Sequence, residues 1–199
     1  VVDVIHEEAE EDILRLAGVS ETDINASIRT TTQRRFIWLL LNLATAILAS
    51  AVIAQFDAAI EKIVALAILM PIVASMGGNA GTQTMAVAVR GLATRELTVT
   101  NARRIVDKEL VVGFFNGAVF ALLVGLVAGF WFTDAALGGV IAAAMVINML
   151  VAALSGILVP LGFDRMGVDP AVASSVFVTT ITDVVGFLAF LGLAAGFLL

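Results

Sequence analysis

Apolar residues run almost unbroken through five stretches of this 199-residue chain, at about 34–55, 60–89, 103–130, 134–160 and 170–198. Each is long enough for the roughly 20 residues that a membrane-spanning helix needs. The pattern predicts an all-α integral membrane protein with five spans. Ahead of them the pattern changes. Ile5, Ala9, Ile13, Leu16 and Ala17 share one helical face and carboxylates fill the other, which predicts an amphipathic helix over residues 1–17. Gly18 is its expected stop, and Ser20 with Asp23 three places on is a capping signal that predicts a second short helix. The expected division is therefore a cytoplasmic acidic helix with a connecting helix over 1–33, then a five-helix membrane domain over 34–199. Because the chain opens on Val1 with no initiator methionine, a preceding soluble region is expected.

The second stretch breaks its own pattern. Pro71-Ile72-Val73-Ala74-Ser75-Met76-Gly77-Gly78-Asn79-Ala80-Gly81-Thr82-Gln83-Thr84 sets a proline, three glycines and several hydrogen-bonding side chains inside an apolar run. Polar or irregular backbone survives at membrane depth only where protein or a water-filled cavity covers it. A kink or local unwinding is expected near Pro71 and Gly77-Gly78, with freed carbonyls and the side chains of Asn79, Thr82, Gln83 and Thr84 lining a polar path. Close helix packing at the glycines is the plainer alternative.

Composition supports the membrane assignment: 60% of residues are hydrophobic and 14% charged, against about 25% charged in soluble domains. With no cysteine there is neither a disulfide framework nor a thiolate metal site. The net charge of −6 stems largely from eight carboxylates among the first 23 residues, and it argues against nucleic-acid binding. The lone His6 in that acidic stretch reads as solvated. Placing the N-terminus in the cytoplasm puts ten of the eleven Lys and Arg residues inside and only Lys62 outside. That agrees with the positive-inside rule and sends the C-terminus to the outer side.

Asp183 is the ionisable residue that demands an explanation, since it sits near the middle of the fifth span. A charged carboxylate there costs about 2.5–3.5 kcal/mol on insertion scales. No Lys or Arg lies at comparable depth, so a mobile cation with its water is the expected partner. Ser175, Thr179 and Asp183 recur at i, i+4 and i+8 and form one stripe. The alternative is a carboxyl group that joins two helices through Thr or Asn. Asn42, Asn116 and Asn148 read as interhelical hydrogen bonds, Asp57 and Glu61 as loop charge, and Trp38 and Trp131 as interface anchors. Oxygen-only ligands favour magnesium, calcium or manganese over soft metals. A two-fold dimer would bring two copies of Asp183 to neutralise one dication.

The 71–84 segment with Arg90-Gly91-Leu92-Ala93-Thr94-Arg95 resembles the signature of the MgtE family of bacterial magnesium channels. Asp169-Pro170, Ser174-Ser175, Thr179-Thr180-Ile181-Thr182-Asp183 and Gly186-Phe187 extend the resemblance across the chain. It implies a homodimer in the bacterial inner membrane, with a pore at the two-fold axis lined by the second and fifth spans. It further implies that Asp183 holds hydrated Mg2+, that Ser75, Gly78, Thr82 and Thr179 face the ion, and that Asn79, Gln83, Ala86 and Ser175 line the pore. Relatives place a helical domain and a CBS pair before the membrane region, where bound Mg2+ closes the pore. Residues 1–17 resemble the tail of the second CBS domain and 20–33 the connecting plug helix, so cytoplasmic gating is expected to be weakened here. The rival readings are a proton- or sodium-coupled carrier and a membrane anchor without transport. An enzyme is disfavoured, because no nucleophile–base pair lies at depth.

Overall fold

The computed structural model describes residues 27–98 and 100–199. The amphipathic helix expected over 1–17 and the capping pair Ser20 and Asp23 lie outside the described residues.

Six α-helices follow: α1 (Ile28–Ile53), the short α2 (Asp57–Lys62), α3 (Ala65–Ala93), α4 (Ala102–Trp131), α5 (Ala135–Arg165) and α6 (Pro170–Phe197), with a 3₁₀ turn at Ala54–Phe56. Five are long and apolar enough to cross a membrane, so the chain is a multi-pass membrane protein. Their starts follow from local chemistry. The Ser27 hydroxyl accepts from the Thr30 amide at 3.3 Å. Asp134 Oδ1 accepts from Ala136 and Leu137 at 2.9 and 3.1 Å. Asp169 Oδ1 accepts from Ala171 at 2.9 Å, with Pro170 in the first turn. Each cap satisfies a backbone donor that an uncapped helix would leave bare.

The first span begins earlier than its apolar pattern suggested, at Ile28, and carries Arg34 and Arg35 within the helix. A second difference concerns α3. It runs as uninterrupted α-helix from Ala65 to Ala93, with Pro71 inside it and no unwound turn at Gly77-Gly78. In hydrocarbon no water is present to take over released backbone groups, so the helical hydrogen bonds that glycine weakens in water are retained.

α5 is the hub. It packs against α3, α4 and α6, whereas α3 and α4 barely meet. Leu66, Leu69 and Val73 of α3, Ile141 and Ala144 of α5, and Phe190, Leu191 and Ala194 of α6 form the largest apolar cluster. On its other side α5 receives α4 through small residues: a Cβ at Gly113 would stand 2.9 Å from Ala153 Cβ and 3.1 Å from the Met149 carbonyl. Such approach lets backbones pack where no hydrophobic force separates protein from lipid. α1 stands at the edge and leans mainly on α6. Leu39, Leu40, Leu43 and Ile47 on α1, and Phe115, Leu122 and Leu123 on α4, are exposed, as lipid-facing side chains should be.

Candidate functional site

α3 and α6 pack side by side and antiparallel. Their register can be read from three close approaches. A Cβ at Gly81 would lie 2.6 Å from Val178 Cγ1, one at Gly78 would lie 3.9 Å from Thr179 Cγ2, and Gly81 also faces Thr182. About one turn further along this pair, Asp183 reaches the level of Ser75.

The stripe expected on the last span is present. Ser175, Thr179 and Asp183 are all half-buried on α6, while Ser174 and Thr182 beside them are fully buried. Across from it, α3 turns a polar face outward: Ser75, Asn79, Thr82, Gln83 and Ala86 are exposed and Gly78 is half-buried. The structure thus brings Gly78 against Thr179. The remaining site residues lie on these same two helices, with Gln83 and Ala86 one to two turns nearer the α3 C-terminus than Gly78.

The hydroxyls are not idle. Thr82 donates to the Gly78 carbonyl at 2.7 Å, and Thr179 donates to the Ser175 and Val176 carbonyls at 2.9 and 3.1 Å. Asn79 Nδ2 donates to Ser75 Oγ at 3.4 Å. A hydroxyl has one proton and two lone pairs. With the proton turned back to the helix, the threonine oxygens present only acceptor character to the open side. Asp183 adds the strongest acceptor, and its carboxylate makes no hydrogen bond or ion pair among the described residues. Among those residues no group of three or more His, Cys, Asp and Glu is assembled to cage a bare metal ion. The face can accept hydrogen bonds from donors such as the water shell of a cation. It supplies too little charge to strip that shell from a dication.

Behind the face sits Asn148 of α5, wholly buried. Its Nδ2 donates to the Val73 carbonyl of α3 at 2.9 Å. This is the interhelical bond its sequence position suggested. Its Oδ1 has no partner among the described residues. Gly77 of α3 and Gly186 of α6 close on this amide from two sides, and Cβ atoms there would fall 2.2 and 2.6 Å from Nδ2. Both helices are thereby gauged against one side chain. Asn42, by contrast, is exposed on α1, and Asn116 lies exposed on α4 beside a cavity. Asp57 and Glu61 are exposed on α2 as loop charge should be.

One charged residue inside a spanning helix was missed in the apolar pattern. Glu109 lies inside α4, and Thr84 Oγ1 of α3 approaches Glu109 Oε2 at 3.5 Å. Glu109 follows Arg103, Arg104 and Lys108 so closely that it reads as interfacial charge; its distance of seven positions from Asn116, two turns along one face, was the available signal.

Comparison with known proteins identifies the family. A family profile described as MgtE, divalent cation transporter, matches residues 70–193. Proteins named magnesium transporter MgtE align along the chain. The one from Bacillus subtilis (strain 168) is 34% identical over 200 residues, covering 100% of this chain and 44% of its own length. The one from Enterococcus faecalis is 34% identical over 198 residues, with 100% and 44% covered. The one from Thermus thermophilus is 35% identical over 198 residues, with 98% and 44% covered. The chain thus spans less than half the length of these relatives. By profile and by identity along its whole length, it belongs to the MgtE family.

Proposed function

We propose that this chain is the membrane-embedded, ion-conducting part of a magnesium transporter and passes Mg2+ with water still bound. The observation that carries the reading is Asp183, a mid-span carboxylate with no protein partner among the described residues, on a face whose threonine hydroxyls offer only lone pairs. Water bound to a dication is a strong donor, so an acceptor-only wall suits a hydrated ion better than an anionic solute. Ser75, Gly78, Thr82 and Thr179 supply the surrounding oxygens, and Asn79, Gln83, Ala86 and Ser175 continue the lining.

One carboxylate leaves half of a dication's charge unbalanced. A second subunit related by a two-fold axis along the exposed α3 face would supply the other and would complete a pore that one subunit leaves open on one side. The lining is then α3 and α6 of both copies. The membrane is the bacterial inner membrane, with the N-terminus in the cytoplasm and the C-terminus outside. Entry needs no coupling ion, since a dication gains about 4.6 kcal/mol for each 100 mV of inside-negative potential. The segment 1–33 connects to cytoplasmic parts through which internal Mg2+ closes the pore. No catalysis enters this reading.

The test is Mg2+ influx into proteoliposomes under a potassium diffusion potential, without proton or sodium gradients. The native protein is expected to conduct, and Asp183→Asn to lose at least about tenfold, the equivalent of roughly 1.4 kcal/mol, while eluting as folded protein. Flux that needs a proton or sodium gradient would establish a coupled carrier instead. Undiminished flux in Asp183→Asn would end the proposal.

A further inference from the structure

Glu109 occupies a separate compartment. A cavity of about 140 Å³ opens between α3, α4 and α5, lined by Gln83, Thr84, Glu109, Asn116, Met149 and Ala153 among others. An adjoining cavity of about 190 Å³ shares Thr84 and Glu109 and reaches Glu96 and Lys108 at the end of α3 and the start of α4. Together they form a cleft, largely apolar but carrying these polar side chains, that runs from the level of Asn116 to the side where α3 and α4 are connected. The gap exists because α3 and α4 each pack on α5 and scarcely touch one another. Only Gln83 belongs to both this cleft and the Asp183 face; Ser75, Gly78 and Thr82 point away from it.

The chemistry of the lining is specific. A carboxylate, two side-chain amides and a hydroxyl converge, with no histidine or sulfur donor other than the Met149 thioether. Glu109 makes no ion pair among the described residues, and the Thr84 hydroxyl donates to its Oε2 at a long 3.5 Å. A half-buried carboxylate two turns inside a spanning helix favours a counter-charge, and Lys108, which lines the outer cavity, makes no ion pair with it. At about 30 Å³ per water, the inner cavity holds roughly five waters, or an ion with part of its shell. Hard oxygen donors around such a volume suit a divalent cation that keeps several waters.

The geometry points to a second cation site, in which Glu109, with Gln83, Thr84 and Asn116, holds a partly hydrated divalent cation in the α3–α4–α5 cleft. It is entered from the α3–α4 connection, on the side opposite the outer loop of α2. Bound there, the ion fills the space that separates α3 from α4 and ties the two helices through their side-chain oxygens. It needs no flux through Asp183, and it stands whether or not that face conducts.

Binding can be read directly with Mn2+ and a nitroxide. The 199 residues contain no cysteine, so Phe115→Cys, exposed on the neighbouring turns of α4, gives a single labelling position within them. In the intact protein carrying Asp183→Asn, Mn2+ is expected to broaden the nitroxide spectrum saturably. Adding Glu109→Gln is expected to raise the half-saturating Mn2+ concentration at least about tenfold. Mg2+ and Ca2+ should displace Mn2+, and K+ at matched ionic strength should not. Should Glu109→Gln not yield folded protein, Asn116→Leu is expected to weaken binding in the same direction. An unchanged titration in folded Glu109→Gln, or displacement by K+, would overturn the site. Because the readout is binding and not transport, its failure leaves the Asp183 reading untouched.

Discussion

Asn148 shows how much one side chain can set. Its amide holds the Val73 carbonyl, and both Gly77 and Gly186 are shaped around it, so the two helices carrying the polar face are spaced by a single wedge. Gly77→Ala places a Cβ 2.2 Å from Nδ2, and overpacking of that kind costs about 1–3 kcal/mol. Asn148→Ala loses the bond to Val73 but makes room. The pair should therefore be strongly non-additive: the double variant Gly77→Ala/Asn148→Ala is expected to be more stable than the sum of the singles by about 0.5–3 kcal/mol. Thermal unfolding in detergent of all four proteins measures this. Simple addition of the two losses would show that the amide does not gauge α3.

At this scale much was legible in the sequence. Asp183 stood out because hydrocarbon penalises charge, and the period of four through Ser175, Thr179 and Asp183 gave its face. The burial of Asn148 between two glycines was not legible, because Gly77 and Gly186 belong to helices whose mutual register no local pattern encodes. Nor was the direction of the threonine protons, which depends on the carbonyls one turn back being in place.

Among the elements, α3 teaches the clearest lesson. Proline and paired glycines suggested an unwound segment, because that mixture breaks helices in water; here the helix persists and the glycines serve as contact surface for α5 and α6. The number of spans was readable because length and hydropathy are local properties. The role of α5 as hub was not, since α5 is no more apolar than α1 or α4 and only packing separates a central helix from a peripheral one. α4 depends on that hub: a Cβ at Gly117 already meets Met149 Cβ at 3.2 Å and Val146 Cα at 3.3 Å. Gly117→Leu should push α4 off α5, lower stability by about 1–3 kcal/mol and widen the Glu109 cleft. A melting temperature equal to that of the native protein would show that the seam is looser than its geometry implies.

The whole molecule is defined by what its outer surface leaves unfinished. α3 presents Ser75, Asn79, Thr82 and Gln83 outward, on a protein otherwise faced with leucine, valine and phenylalanine, and the proposed two-fold partner would cover that face. Regulation belongs at this scale as well, since relatives of more than twice this length carry further chain beyond the aligned region. Mg2+ flux measured against rising internal Mg2+ should be suppressed less in the 199-residue region alone than in the full-length protein. Equal suppression would place the regulator within these residues.

The central position of α5 has a consequence for biogenesis. α3 and α4 leave the ribosome before the helix that joins them. Until α5 follows, the Val73 carbonyl lacks its amide and the glycine-rich surfaces of both helices have nothing but lipid to rest on. The order of synthesis therefore leaves the tertiary arrangement unsettled until late. Defects in α5 should reach the cell as insertion and quality-control failures, well before any question of permeation arises.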